Sequence, residues 1–220
     1  MSDTLAVHVR PYRPSDRPAV RHICVATGYL GDPVQWQWRD ERSFADLFCG
    51  WYTDHAADTA WVAVRAGRVV GYLLGCADST AVPDPVRALV PQVLRRGLLV
   101  RPGTAAVLWR GLADGVSLLR RGDGLPEPVL DERWPAHLHI DLLPVARGSG
   151  VGAQLVRTWL DHLRAEGVAG CHLETMAENS AAIGFFETQG FRRHGEPTPV
   201  PGLRARDGSR LHTQLMVHPL

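Results

Sequence analysis

Hydrophobic residues along this chain follow two different periods, and their alternation predicts an α/β fold. A period of two, with every second side chain apolar, is typical of strands. It indicates six strands, at residues 5–10, 60–64, 69–75, 137–143, 171–176 and 211–217. A period near 3.6 predicts helices. We expect a first helix that is capped by Ser15 or Asp16 and ends at Gly28. Three further helices are expected at 40–54, 150–166 and 180–189.

Residues 78–134 interrupt the alternation of strands and helices. This segment contains six prolines and two helical stretches, near 86–96 and 104–120. We expect a helical insertion between the third and fourth strands, since strand periodicity resumes only at residue 137. Its helices are apolar enough to need a partner surface, which is either the rest of this chain or a second copy in a homodimer.

The composition fits a single globular domain, expected over residues 5–218 and including the insertion. The chain has 220 residues, of which 45% are hydrophobic and 21% charged, and a formal net charge of +1. Without a basic face, an apolar run of about 20 residues or an export signal, we expect no nucleic-acid or membrane partner. Four scattered cysteines, with no CxxC pair, indicate reduced thiols, a cytoplasmic location and no metal site.

The turn after the fourth predicted strand is the most informative segment. An apolar run ends at Pro144, and Arg147-Gly148-Ser149-Gly150-Val151-Gly152 leads into the helix of 150–166. Glycines expose backbone N–H groups, and a helix start adds unpaired donors and a partial positive charge. The combination predicts a phosphate or diphosphate site. The G-x-G-x-x-G spacing is absent, which argues against a dinucleotide-binding domain.

Two motifs, in this order, resemble those of the GNAT N-acetyltransferase family. Arg147-x-x-Gly150-x-Gly152 resembles the acyl-CoA signature of the family, and residues 179–191 (NSAAIGFFETQGF) resemble its late motif. The resemblance implies a mixed, mostly antiparallel central sheet that is splayed at the cofactor site and has helices on both faces. It also implies acetyl-CoA as the cosubstrate and a primary amine as the acceptor.

A narrower resemblance involves residues 21–28, 71–78 and 137–139. These segments resemble the acetyltransferase-like domain at the C-terminal end of O-GlcNAcases and the bacterial stand-alone relatives of that domain. Catalysis is in question for some of those domains. A catalytically silent module that binds acetyl-CoA is therefore a second hypothesis beside an N-acetyltransferase.

The resemblance also implies a set of cofactor-binding residues. The pantetheine arm would pair with strand backbone, an N–H of Leu142 or Leu143 would polarise the thioester carbonyl, and the Arg147 guanidinium would be free to help at the diphosphate. The implied contacts are Leu142, Leu143, Val145, Arg147, Gly148, Ser149, Gly150, Val151, Gly152, Asn179, Ala182, Phe185 and Phe186. Asn179 also fits as the N-cap of the last helix, which is compatible with the first role.

An attacking amine must lose a proton, and four side chains are candidates for the base. Asp141, His139 and His137 alternate along one strand and share a face, while Glu174 lies on the next strand. A histidine on a strand is more often a hydrogen-bonded structural residue than a base. We favour Asp141 and His139 over Glu174.

The second aromatic of the late motif is Phe186, where many members of the family have a tyrosine that protonates the leaving thiolate. Phenylalanine cannot donate a proton. Tyr29, Tyr72 or water would have to replace it, or the thiolate would leave unassisted, since a thiol has a pKa of about 8.5.

The loop before the second helix shapes the acceptor pocket in this family. Here it contains Tyr29, Asp32, Trp36 and Trp38. Aromatic faces with carboxylates suit a cationic amine, although they would also suit a sugar ring. The acceptor class therefore stays open between a small-molecule amine, an amino sugar and a peptide. Trp36 and Trp38 have an alternative role in packing against the insertion.

Overall fold

Eight strands form one mixed sheet in the computed structural model, which describes residues 6–122 and 124–220. The order in the sheet is β1-β2-β3-β4-β5-β8-β6, and β7 pairs with β8 outside this path. Only β4 and β5 run parallel, and the other pairs are antiparallel. The strands are β1 (His8–Pro11), β2 (Ala60–Arg65), β3 (Arg68–Cys76), β4 (Ala136–Leu142), β5 (Gly170–Met176), β6 (Arg192–Arg193), β7 (Thr198–Arg204) and β8 (Arg210–Pro219).

Seven α-helices surround this sheet in the described part of the chain. They are α1 (Arg17–Thr27), α2 (Glu41–Ala45), α3 (Trp51–His55), α4 (Pro85–Arg96), α5 (Ala105–Arg121), α6 (Val151–Ala165) and α7 (Ser180–Thr188). A π-helical turn, Asp46–Gly50, joins α2 to α3. None of the helices in the described ranges has the length and apolar character needed to cross a membrane.

Apolar side chains fill two cores, one on each face of the sheet. The first core lies under α1 and α2 and includes Ile23, Phe44 and Tyr72. The second core lies under α6 and α7 and includes Trp159 and Phe186. Alternation along the strands directs successive side chains to opposite cores, so that the sheet separates two chemically different faces.

The sheet opens between its two parallel strands. β4 and β5 pair only at Ala136 with Cys171 and at His137 with His172. Beyond these pairs, the C-terminal halves of the two strands diverge. The α/β class, the mixed and mostly antiparallel sheet, the splay and the helices on both faces are therefore as predicted.

The helical insertion also lies between β3 and β4, as predicted, and its helix α5 packs against β7. The backbone of α5 approaches β7 at Gly111 and Gly202, where neither residue has a side chain to keep them apart. Asp114 of α5 accepts a hydrogen bond from the Gly202 N–H at 2.9 Å and forms an ion pair with Arg204 at 2.8 Å. These contacts hold the insertion against the β7–β8 hairpin.

The predicted elements differ from the structure in a few places. Sequence periodicity did not predict β6 or β7, because β6 has two residues and β7 contains Pro199, Pro201 and Gly202. The helix predicted at 40–54 is interrupted by the π-helical turn. Of the strand predicted at 5–10, Leu5 lies outside the described residues, and the strand itself begins at His8.

Candidate active site

The turn between β4 and α6 presents a row of unpaired backbone N–H groups. Within the described ranges, no N–H from Gly148 to Ala153 donates to a backbone carbonyl, and the first bond of this helix is Gln154 N–H to Gly150 O at 3.1 Å. Gly148 and Gly150 have φ of +72° and +82°, a backbone conformation that favours glycine. The turn therefore combines a helix N-terminus with two left-handed glycines, an arrangement that binds anions.

The space outside this turn is open. An added Cβ at Gly148 or Gly150 would meet no heavy atom within 4 Å. An open cleft of about 490 Å³ runs from Ser149 and Gly150 along α6 to Arg157. The Ser149 hydroxyl bonds back to Ala146 O at 2.6 Å and stabilises the turn internally. A diphosphate can reach the amides without displacing any side chain.

The backbone of β4 offers further donors and acceptors where the sheet opens. Leu143 N–H donates to Val70 O of β3 at 2.9 Å, so that its amide faces away from the splay. Because strand amides alternate in direction, the N–H groups of Ile140 and Leu142 face β5, beyond the last β4–β5 pair. The expectation that Leu143 N–H could polarise a thioester is therefore wrong. Ile140, which was not among the predicted residues, instead presents its N–H to the opening beside that of Leu142.

Arg147 is not free but connects this turn to the loop between α1 and α2, which contains the four predicted acceptor residues and is named the acceptor loop. Its Nε donates to Leu142 O at 3.1 Å, and its Nη2 donates to Gly31 O at 2.6 Å. Leu30 and Gly31 have φ of +52° and +89° and form the tip of a short hairpin closed by Tyr29 and Asp32. The expectation of a free guanidinium is therefore corrected, because this side chain holds two backbone segments together.

Asp141 is the centre of a polar cluster on the face of β4 that points toward α1 and α2. Tyr72, which is fully buried, donates its hydroxyl to Asp141 Oδ2 at 2.6 Å. His139 Nε2 lies 3.3 Å from the same oxygen. The Cys49 thiol lies 3.5 Å from the Tyr72 hydroxyl. Among the described residues, no side chain bonds to Oδ1, which leaves one carboxylate oxygen available to a ligand.

His139 is held in its charged form by its neighbours. Burial by itself would lower its pKa, but the hydrogen bonds to Asp141 and Cys49 outweigh burial and raise it. An imidazolium cannot accept a proton. This charge state makes His139 a hydrogen-bond donor and an electrostatic partner of Asp141, not a base.

His137 has both ring nitrogens in hydrogen bonds. Its Nε2 accepts from the Tyr52 hydroxyl at 2.6 Å, and its Nδ1 is 2.7 Å from the Ser79 hydroxyl, which in turn donates to Pro135 O. Burial lowers the pKa of His137 to about 4, with His172 and His139 adding to the effect. His137 is therefore a neutral, hydrogen-bonded structural histidine, which is the more common role of a histidine on a strand.

Glu174 lies across the opening of the sheet from Asp141, on the same face. Its side chain is exposed and, among the described residues, forms no hydrogen bond to another side chain, while the surrounding protein raises its pKa. It is a second carboxylate on β5, the strand that borders the opening of the sheet.

Some residues of the late motif lie beside the glycine turn, and others lie in the core. Asn179 is the N-cap of α7, with Oδ1 accepting from Ala182 N–H at 3.0 Å. Phe185 lies beside Gly152, whose added Cβ would come 3.3 Å from its ring. Phe186 is only 6% exposed and packs on Phe191, which removes its side chain from the predicted cofactor contacts.

The acceptor loop is only partly as predicted. Tyr29 and Trp36 form an edge-to-face pair with ring centroids 5.0 Å apart, and Arg206 of the β7–β8 hairpin lies over both rings at 5.6 and 5.5 Å. Tyr29 and Trp38 are each 6% exposed and belong to the core, where Trp38 donates to the Ser43 hydroxyl, so that neither side chain forms an acceptor surface as predicted. Trp36 is 38% exposed. Asp32 is exposed beside the hairpin tip.

The remaining predicted residues surround the turn. Val145 is 53% exposed, and its carbonyl accepts from Arg65 at 2.9 Å. Val151 is buried by its side chain while its N–H stays in the unpaired row. These residues contribute backbone rather than side-chain chemistry, which is why a sequence motif of glycines could indicate the site.

Comparison with known proteins agrees with this geometry. The family model for the GNAT acetyltransferase family matches residues 25–191, which is more than half of the chain. The chain therefore belongs to the GNAT acetyltransferase family. The family's general reaction is acetyl transfer, and acetyl-CoA is the cosubstrate.

Several solved structures are similar over nearly the whole chain. One is described as SsHAT, with 26% identity and a TM-score of 0.64, covering 97% of this chain and 98% of that one. Another is yncA, a putative acetyltransferase from Salmonella typhimurium with its cofactor acetyl-CoA, with 16% identity and a TM-score of 0.58, covering 98% and 94%. A third is the ribosomal-protein-S18-alanine N-acetyltransferase from Escherichia coli, with 19% identity and a TM-score of 0.52, covering 97% and 93%.

Proposed function

We propose that this protein transfers the acetyl group of acetyl-CoA to the primary amine of a small molecule, an amino sugar or a peptide. The observation that carries the proposal is the position of Asp141. Its open carboxylate oxygen lies on the strand that ends at the row of unpaired amides. One strand thus joins a diphosphate site to a proton acceptor.

Acetyl-CoA supplies the activated acyl group, and the chain positions it. The amides of Gly148 to Gly152 would hold the diphosphate. The pantetheine arm would lie in the splay against the unpaired N–H groups of Ile140 and Leu142, with Phe185 and Asn179 bordering the other side. The Leu142 N–H would polarise the thioester carbonyl. Much of the rate enhancement would then come from fixing two reactants next to each other.

Asp141 would act as the base. A cationic amine would donate to its Oδ1 and lose a proton there, and the amine nitrogen would then attack the thioester carbon. The C–S bond breaks and the electron pair leaves on sulfur. Tyr72 and His139 hold Oδ2, so that the carboxylate keeps one orientation. Glu174 is the alternative acceptor for the proton.

The leaving thiolate would take a proton from water. Phe186 is in the core and has no proton to give, and the Tyr72 hydroxyl is committed to Asp141. That neither Phe186 nor Tyr72 of the described chain can supply this proton supports a second candidate function, a catalytically silent module that binds acetyl-CoA. We favour the enzyme because the silent module would not need Tyr72 and His139 to hold Asp141 beside the splay.

The decisive experiment combines calorimetric titration of acetyl-CoA with a free-thiol assay over a panel of primary amines. Wild type is expected to bind acetyl-CoA and to release thiol with at least one amine. Asp141→Asn should keep the cofactor affinity within about twofold and lose roughly 100-fold or more in turnover, which is the usual contribution of a general base. Binding without thiol release on any amine would support the silent module. Full turnover in Asp141→Asn would move the base to Glu174.

The acceptor site would lie between Trp36 and the Asp141 face. Arg206 lies 5.5 Å from the centroid of the Trp36 ring, a contact that supports the proposal that this ring can border a cationic acceptor. We also propose the cytoplasm as the compartment, because all four cysteines are free and buried, as expected in a reducing environment.

A further inference from the structure

Helix α5 has an apolar face that turns away from the rest of the chain. Its inner face, with Val107, Asp114 and Leu118, is buried. Its outer face is not covered by any described residue: Trp109, Leu112, Val116 and Leu119 are 54, 59, 40 and 58% exposed. Four large apolar side chains in one row are more than the scattered apolar residues that ordinary surfaces show.

The spacing of this outer face is that of a helix–helix contact. From Ala105, the apolar positions recur in alternating steps of four and three residues to Trp109, Leu112, Val116 and Leu119. This is the heptad pattern by which one helix inserts its side chains between those of another. Small residues, Ala106 and Ala113, flank the row and allow a second helix to approach closely.

The charges around this face decide what kind of partner fits. The row itself, from Ala105 to Leu119, carries no charge. Arg110 beside it is half-buried and donates to Gly202 O at 3.3 Å on the inner side of the helix, and Arg120 marks the end of the face. A helix that lies on a membrane has basic residues along its polar flank, and an acidic peptide would need basic residues beside the groove. An uncharged, apolar row is instead matched by an equal row, and it does not repel its own copy.

The size of the face is compatible with such a pair. Leu99 accepts a hydrogen bond from the Trp109 indole at 3.1 Å, and Leu125 packs 3.4 Å from an added Cβ at Gly115. Both leucines are exposed, at 40 and 51%, and enlarge the apolar surface around the row. A standard interface buries about 800 Å² per partner, and these six side chains would supply its apolar centre.

We propose that the outer face of α5 is the two-fold contact of a homodimer, in which α5 of one protomer packs on α5 of its partner. The same patch would serve both protomers, as symmetry requires. Because Asp114 ties α5 to β7 and β8, the contact would brace the hairpin that carries Arg206 to the acceptor loop. The proposal does not depend on the proposed function.

Two matched substitutions of valine test this surface in the full-length protein. Val116→Glu places a charge in the α5 row, while Val90→Glu makes the same change at a residue of α4 that is 52% exposed. Sedimentation velocity over a range of concentrations should give twice the monomer mass for wild type and for Val90→Glu. Val116→Glu should raise the dimer dissociation constant by on the order of 100-fold, because the pair would bury two unpaired carboxylates.

The same samples separate loss of the dimer from loss of the fold. Acetyl-CoA affinity and far-UV circular dichroism should be unchanged in both variants, and the milder Val116→Thr should weaken the dimer by roughly tenfold while preserving the helix. A monomeric wild type at tens of micromolar, or a dimer that survives Val116→Glu, would overturn the proposal. A dimer disrupted equally by Val90→Glu would also overturn it.

Discussion

Three polar side chains on one face of β4 differ in chemistry because their neighbours differ. Asp141 is held by Tyr72 and His139, and His137 is held by Tyr52 and Ser79. His139 is charged because a carboxylate faces it, whereas burial keeps His137 neutral. At this scale the partner decides whether a residue belongs to the reaction or to the scaffold.

Two buried tyrosines provide a matched test of the Asp141 cluster. Tyr72→Phe removes the hydrogen bond that orients Asp141, so that kcat should fall by roughly tenfold while acetyl-CoA affinity is unchanged. Tyr52→Phe removes a comparable bond to His137 and should leave kcat within about twofold of wild type. Steady-state kinetics and calorimetric titration of acetyl-CoA measure both variants. Equal losses of kcat in the two variants would show that Tyr72 has only a structural role.

His137 makes the stability of the fold depend on pH. Its pKa is about 4 in the folded chain, against an ordinary 6.5, so the unfolded chain binds the proton more readily. This contribution is complete above pH 6.5 and is lost as the pH falls toward 4, by about 2 kcal/mol between pH 7 and pH 5. Urea unfolding at the two pH values should show a smaller loss for His137→Gln than for wild type. His8→Gln, an exposed control on β1, should behave like wild type. An identical loss of unfolding free energy between pH 7 and pH 5 in all three proteins would contradict the assignment to His137.

At the scale of elements, the site is made where a strand, a turn and a helix follow one another. β4 brings Asp141 and the unpaired N–H groups of Ile140 and Leu142 to the opening, and α6 begins beside them with its first amides unpaired. The insertion does not border the glycine turn but holds β7 in place, because Asp114 of α5 bonds to it. The Asp114 carboxylate has its pKa lowered to about 2 by Arg204, with burial opposing and the Gly202 N–H adding to the effect.

Two glycines at opposite ends of α6 allow a comparison that distinguishes backbone strain from loss of ligand contact. Gly150 and Gly167 have φ of +82° and +69°, and an added Cβ meets no heavy atom at either position. Alanine at either site should therefore cost about 1–2 kcal/mol of stability. Only Gly150→Ala should also weaken acetyl-CoA binding, by tenfold or more, because its methyl group would stand among the donor amides. Calorimetry with both variants tests this, and equal affinities would count against the turn as the diphosphate site.

For the whole molecule, bound acetyl-CoA should stabilise the folded state, because it would contact β4, α6 and α7 at once. A ligand at 100 times its Kd stabilises the folded state by about 2.7 kcal/mol, which corresponds to roughly 5–10 °C in Tm for a chain of this size. Acetyl-CoA should produce such a shift in thermal unfolding. Acetyl-pantetheine, which has the same arm and thioester but no diphosphate, should shift Tm by much less at equal concentration. Equal shifts would mean that the diphosphate contributes little to binding.

Much of this architecture is present in the order of residues. Periodicities of two and 3.6 depend only on which side chains must be buried, so they predicted the strands, the helices and the insertion. The glycine turn was also visible, because left-handed backbone and bare amides restrict the residue type locally. Elements with little periodicity were missed, as in β7 with its two prolines and glycine.

Contacts between distant segments were decided only by the tertiary structure. No local pattern shows that Tyr72 would reach Asp141, that Arg147 would bond to Gly31, or that Trp38 would turn inward while Trp36 stays at the surface. The direction of each β4 amide also depends on its pairing with β3, which assigned Leu143 to the sheet and Leu142 to the opening. Local backbone preferences thus determined the cofactor turn, whereas charge states and side-chain orientation required the complete packing of the chain.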